Sequence, residues 1–247
     1  MRTITAIAAL LLATSALAGN YAAPQVFIPI VTHTAGANGT QWRTDLVITN
    51  RDPHRTAIVA MIYDPIGRAP LHLTNTIDPH ETLVFTDFVG TRAGLPNSFG
   101  TLTLVTDNEA PVAAHARVYN TGNAAGEFGQ IVQGLPISEL PRTAWLNGLI
   151  GSRGFRTNVG IANPNATDLG FSITWYDKFG ESHGSAGLIV VPAYGVLLYN
   201  DIFNRVGMPH DEGLTLRITA TLPVYAYASV VRNDTGDAYT IVGDGPN

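Results

Sequence analysis

Apolar and polar residues alternate in short runs along nearly the whole chain, a period of two that marks strands with one buried face. Trp42, Thr44, Leu46 and Ile48 share one face, and Arg43, Asp45, Val47 and Thr49 the other. An Asn/Asp/Pro turn at Asn50 to Pro53 follows. The next strand is then expected to put Ile58, Ala60 and Ile62 toward a core. Further apolar strands are expected at Leu83 to Phe85, Leu102 to Leu104, Ala114 to Val118 and Phe128 to Val132. No stretch holds a helical period, although Asp87 to Leu95 and Asn200 to Val206 each have room for one helical turn.

The pattern then starts again. Shifted by 113 positions, Trp42 to Gly67 meets Phe155 to Gly180 with 7 identities in 26 ungapped positions, where average composition gives about one or two. Trp42, Arg43, Thr44, Asn50, Tyr63 and Asp64 fall on Phe155, Arg156, Thr157, Asn163, Tyr176 and Asp177. Phe171, Ile173 and Trp175 then take the core-facing places of the second copy. Pro79 meets Pro192 at the same offset, and the turns beginning at Asn120 and Asn233 correspond. A solenoid unit spans only about 20–50 residues, so this repeat has the length of a small domain.

The expected fold is therefore all-β, with two tandem immunoglobulin-like antiparallel β-sandwich domains related by internal duplication, each of about seven strands. Their expected bounds are 25–132 and 143–247. Residues 133–142, QGLPISELPR, carry two prolines and no strand pattern and read as a stiff linker. One closed barrel built from both halves is the alternative.

Composition narrows the setting. Residues 1–18 combine Arg2, an apolar run from Ile4 to Ala13 and an Ala16-Leu17-Ala18 cleavage site, the make-up of a signal peptide. The apolar run is shorter than the roughly 20 residues that span a bilayer. The expected location is thus secreted, periplasmic or extracellular. The 247 residues contain no cysteine, so an exported chain would rely on its cores alone. Net charge is −5 and the arginines are scattered. That leaves no basic stripe for nucleic acid and favours a protein or polysaccharide partner.

Candidate chemistry is sparse. Gly180-Glu181-Ser182-His183-Gly184 matches G-x-S-x-G, but a nucleophile elbow needs a helix after the serine, and here a β run, Leu188 to Val191, follows. The counterpart, Gly67 to Pro70, has no serine. Pro209-His210-Asp211-Glu212 sets a histidine beside two carboxylates without metal-ligand spacing, and Asn233 to Asp237 lacks the full calcium-loop pattern. No catalytic residue, cofactor or metal is expected. Arg43 and Arg156 recur on the face opposite the core, the first with Asp45 and the second with Asn158 two residues on. A shared ion pair therefore cannot explain them. Both are expected to bond backbone carbonyls or to lie over Tyr63 or Tyr176. Among possible ligand-contacting aromatics (Trp42, Trp145, Tyr194, Tyr225 and Tyr227), Tyr225 and Tyr227 stand on one face between alanines. That pair is the expected ligand-binding face.

The motifs Gly39 with Trp42 to Asn50, Gly126 to Gln130, Phe155 to Gly160 and Ala226 to Asp237 are spread along most of the mature chain. In these it resembles secreted bacterial proteins with tandem immunoglobulin-like repeats, a group with no established biochemical role. Arg232 departs from that pattern, where an acidic residue is more usual. The resemblance implies the fold and the export and brings no catalytic or binding residue. The expected function is a non-enzymatic structural or interaction protein for adhesion, surface or matrix assembly. The alternatives are a glycan- or polymer-binding module using Tyr225 and Tyr227, and a two-domain periplasmic chaperone that completes a partner's sheet.

Overall fold

A computed structural model describes residues 21–36, 39–122, 126–152, 154–208 and 211–245. The expected signal peptide lies outside these. The first half holds β1 (Gln25–Ala35), β2 (Gln41–Asn50), β3 (Ala57–Pro65), β4 (Leu71–Ile77), β5 (Thr82–Phe85), β6 (Ser98–Thr106), β7 (Val112–Asn120) and β8 (Phe128–Gln133). A two-residue strand, β9 (Leu135–Pro136), leads into the second half. There follow β10 (Thr143–Ile150), β11 (Phe155–Ala162), β12 (Leu169–Tyr176), β13 (Ser182–Val191), β14 (Val196–Tyr199), β15 (Glu212–Ala220), β16 (Tyr225–Arg232) and β17 (Ala238–Val242). The two expected helical turns are α1 (Phe88–Thr91) and α2 (Ile202–Val206).

All strands pair antiparallel. In the first half the order is β4-β3-β6-β1 on one side and β5-β2-β7-β8 on the other. The second half repeats it as β13-β12-β15-β10 and β14-β11-β16-β17. Among the described residues each half thus carries eight strands of four residues or more where about seven were expected. The pairs of second with fifth and third with sixth strand are those of an immunoglobulin sandwich. The first strand, however, lies beside the sixth and the seventh beside the second. Both first strands are bulged at the same place, between Ile28 and Val31 in β1 and between Leu146 and Leu149 in β10. Past its bulge β1 crosses over, and Thr34 and Ala35 pair with β2.

The expected core phase of β3 is corrected. Ala57, Val59, Met61 and Tyr63 are buried and Ile58 is 42% exposed, whereas Phe171 and Ile173 of β12 are buried as expected and Trp175 packs partly buried against the same core. The cause is one residue in the preceding turn. The Asn50 amide reaches the carbonyl of Arg55, five residues on, and the Asn163 amide that of Thr167, four residues on. An ungapped alignment therefore slips by one after Asn163, and a slip of one exchanges the two faces of a strand. In three dimensions Tyr63 corresponds to Trp175, so the matches of Tyr63 with Tyr176 and of Asp64 with Asp177 join residues on opposite faces.

Residues 133–142 are bonded to both halves. Leu135 and Pro136 pair with Phe27 and Val26 of β1, and a 3-10 turn follows at Ile137–Glu139. The Pro141 carbonyl then accepts the Val224 amide and the Arg142 carbonyl the Ala220 amide. One apolar cluster fills the second half, and the other runs from the first half onto Ala162, Val196, Tyr225 and Tyr227 of the second.

Candidate binding cleft between the two halves

The recurring threonines and asparagines are structural. Thr44 and Thr157 are fully buried. Thr44 Oγ1 accepts the Thr32 amide at 2.8 Å and donates to the Thr32 carbonyl at 3.0 Å. Thr157 repeats the exchange with Ile150 at 3.2 and 2.6 Å. Each threonine thus satisfies backbone groups of the first strand just past its bulge. Asn50 donates to the Arg55 and Ile77 carbonyls and accepts the Asp52 amide. Asn163 makes the same set with Thr167, Val191 and the Asn165 amide. The change from Asp45 to Asn158 is explained too. Either side-chain oxygen accepts the amide of a left-handed aspartate, Asp87 or Asp201, which opens the short helix.

The two arginines differ. Arg43 donates to the Trp42 carbonyl at 2.7 Å and leans toward Asp87 at 3.9 Å, the expected backbone contact. Arg156 instead donates to the side-chain oxygen of Asn233 at 2.6 Å. Neither lies over Tyr63 or Tyr176. The guanidinium near Tyr176 belongs to Arg217, 5.8 Å from that ring and 5.6 Å from Trp145.

The expected exposed tyrosine face is overturned. Tyr225 is 1% and Tyr227 5% exposed. The flanking alanines pack into the second half's own core, as supposed, but the opposite face of β16 is covered by the first half. Tyr225 donates its hydroxyl to the Gln133 carbonyl at 2.7 Å and packs against Phe27, ring centroids 6.4 Å apart. The Tyr227 ring stands edge-on to Tyr225 and over Gly160, where an added Cβ would lie 2.2 Å from it. Burial pushes both phenols well above the usual tyrosine range. Two more bonds join the halves: Thr101 Oγ1 to the Tyr194 carbonyl at 2.5 Å, and Thr240 Oγ1 to Gln130 Oε1 at 3.1 Å.

Beside this contact the halves part and leave a cleft of about 930 Å³. Its floor is the outer face of β11 and β16, where Arg156, Asn158 and Gly160 alternate outward beside Ser229 and Tyr227. The facing wall comes from the first half: Thr34, Trp42, Phe99, Asn120 and Gln130. The turn after β16 closes one end with Asn233 and Asp234. Asp234 is engaged, since Arg232 holds its two oxygens at 2.8 and 3.0 Å. Arg156 also lines an adjoining pocket of about 520 Å³ with Phe155 and Asp201, and burial lowers its pKa from the ordinary arginine value. Aromatic rings, side-chain amides and hydroxyls dominate this lining, with one arginine among them. Trp42 and Arg156 were singled out from the repeat and Asn158 from the face it shares with Arg156, but nothing along the chain marks Phe99 or Gln130 as lining one cleft with them.

Other candidates stand apart. Ser182 is exposed at the start of a strand, with no helix behind it. Its neighbours Asp177, Glu181 and His183 bring ligand atoms within 4.8 Å of one another. Asp177 caps the turn through the Phe179 and Glu181 amides, and His183 Nε2 lies 2.7 Å from it. His183, and then those amides, hold the Asp177 carboxyl below the usual range. His210 lies outside the described residues, and Asp211 pairs with Lys178 at 3.1 Å. No helix among the described residues is long and apolar enough to cross a membrane.

No family model matches the chain, and no curated protein matches it. Among solved structures, Thermotoga maritima 1070 is similar over 42% of this chain and 94% of its own, at 17% identity and a TM-score of 0.36. The Anabaena sensory rhodopsin transducer is similar over 34% of this chain and 90% of its own, at 26% identity and a TM-score of 0.29. A Bacteroides uniformis beta-glucuronidase overlaps 83% of this chain and 26% of its own, at 10% identity and a TM-score of 0.17. Likeness this distant carries no functional argument.

Proposed function

We propose that the chain is an exported, non-enzymatic interaction protein that holds an extended glycan in the cleft between its two halves. One observation carries this reading: an open groove built by both halves, in which Trp42 and Phe99 face Arg156, Asn158 and Asn233. Ring faces pack on the apolar face of a pyranose, and amide side chains donate to and accept from hydroxyls. Docking through Tyr225 and Tyr227 keeps the two walls at a set distance, which lowers the ordering cost of binding. Binding of the purified chain to immobilised polysaccharides, compared with Trp42→Ala, tests the reading. Retention on at least one polysaccharide and its loss in the variant are expected. No retention on any of them, or a variant that binds as well, would overturn it.

Strand exchange with a partner is a second reading with one observation behind it. β13 is a ten-residue edge strand paired only to β12, with Leu188 74% and Val190 53% exposed. Such an edge accepts an added strand. Co-purification of a partner, lost when Leu188→Lys charges the edge, would favour it.

A further inference from the structure

We infer that the cleft recognises an acidic glycan, a uronate-containing one, and that Arg156 takes its carboxylate; the inference rests on the glycan reading above.

The two copies differ in how they hold one arginine. Arg43 and Arg156 occupy the same place on β2 and β11, one residue before the buried threonine. Arg43 is turned to its own half, bonded to the Trp42 carbonyl and 3.9 Å from Asp87. Asp201 is the counterpart of Asp87, by its left-handed backbone and its amide bond to Asn158. Its Oδ2 accepts from Asn204, and it lines the smaller pocket rather than the cleft. Arg156 has no contact ion pair among the described residues: its hydrogen bond goes to the neutral Asn233, and the Asp201 carboxylate, which shares the smaller pocket with it, acts on it only through space. A partly buried guanidinium is ordinarily paired, because water no longer solvates it fully. The acid that does line the cleft, Asp234, is already neutralised by Arg232.

Chemistry selects the ligand group. A guanidinium presents a planar fork that matches a carboxylate bidentately. Asn158 stands two residues from Arg156 on the same face and Ser229 beside it on β16. They are placed to bond the hydroxyls next to a sugar carboxylate, while Trp42 and Phe99 face them across the groove. The net charge of −5 offers no general attraction for polyanions. Discrimination therefore depends on this one position.

The test is isothermal titration of the purified chain with oligomers of galacturonate, mannuronate and glucuronate, each against its methyl ester, which keeps the sugar and removes the charge. At least one acid form is expected to bind about tenfold tighter than its ester, and Arg156→Gln is expected to erase that preference. Arg156→Lys keeps the charge without the fork and should retain part of it. Near-ultraviolet circular dichroism checks that each variant is folded. Equal binding of acid and ester, or a preference that survives Arg156→Gln, would overturn the inference and leave the glycan reading standing. If no uronate, ester or neutral polysaccharide binds, both fail. If polyglutamate binds through Arg156 while every uronate fails, the ligand is an acidic peptide and the glycan class is overturned.

Discussion

Thr44 and Thr32 exchange two hydrogen bonds, the Thr32 amide donating to Thr44 Oγ1 at 2.8 Å and that hydroxyl donating back to the Thr32 carbonyl at 3.0 Å. The threonine of the repeated Arg-Thr pair is thus the side chain that binds the backbone of the first strand just past its bulge. Thr44→Val keeps the shape and leaves an amide and a carbonyl without partners. It should cost about 1–3 kcal/mol, while Thr44→Ser, which retains the hydroxyl, should cost less. Urea denaturation of the three proteins measures this, and a valine variant as stable as the parent would remove the explanation.

Tyr225 couples the halves through an apolar ring and one hydrogen bond to Gln133. Tyr225→Phe should cost about 1 kcal/mol, and Tyr225→Ala about 3–5 kcal/mol. The alanine variant is also expected to split a shared calorimetric transition into two, as the second half loosens from the first. One undivided transition at the parent's temperature would count against the docking role.

Gly160 leaves room for Tyr227, with no space for a Cβ beneath the ring. Gly160→Ala must push the ring off its seat and should destabilise by about 1–3 kcal/mol. Combined with Tyr227→Leu, the alanine should cost less than it does alone, because contacting sites couple. A double-mutant cycle reads that coupling directly, and simple additivity would argue against it.

Asp64 predicts a pH effect. Burial raises its carboxyl to about 6, opposed by His72 nearby, and its Oδ2 is buried without a partner. The unfolded carboxyl titrates near 3.8, so between these values the folded state keeps a proton that the unfolded state has released. The contribution is fully present below the unfolded value and is lost as pH rises through about 6. Asp64→Asn mimics the protonated form. Its melting temperature relative to the parent should climb from about pH 4 to about pH 6.5 and then level off. A difference independent of pH would show that Asp64 ionises freely in the folded chain.

Part of this molecule could be read along the chain. The period of two set the strands, and the repeated Trp/Phe-Arg-Thr and Asn positions located the buried polar bonds that each half needs. β3 shows where that reading stops. One residue more in the turn after Asn50 than in the turn after Asn163 moved Ile58 to the surface and put Tyr63 in the core. Identity at Tyr63 and Tyr176 concealed the slip.

The sequence by itself determined the all-β character and the duplicated pattern, because alternation and turn chemistry act between residues near in the chain. Tertiary structure decided what covers each face. β16 is apolar on both faces, and alternation cannot tell a face open to solvent from one pressed on another sheet. The two tyrosines therefore became the joint between the halves. The joint in turn placed Trp42 of one copy opposite Arg156 of the other. A groove whose walls come from separate halves of the chain depends on docking, a property of whole surfaces that no local spacing encodes.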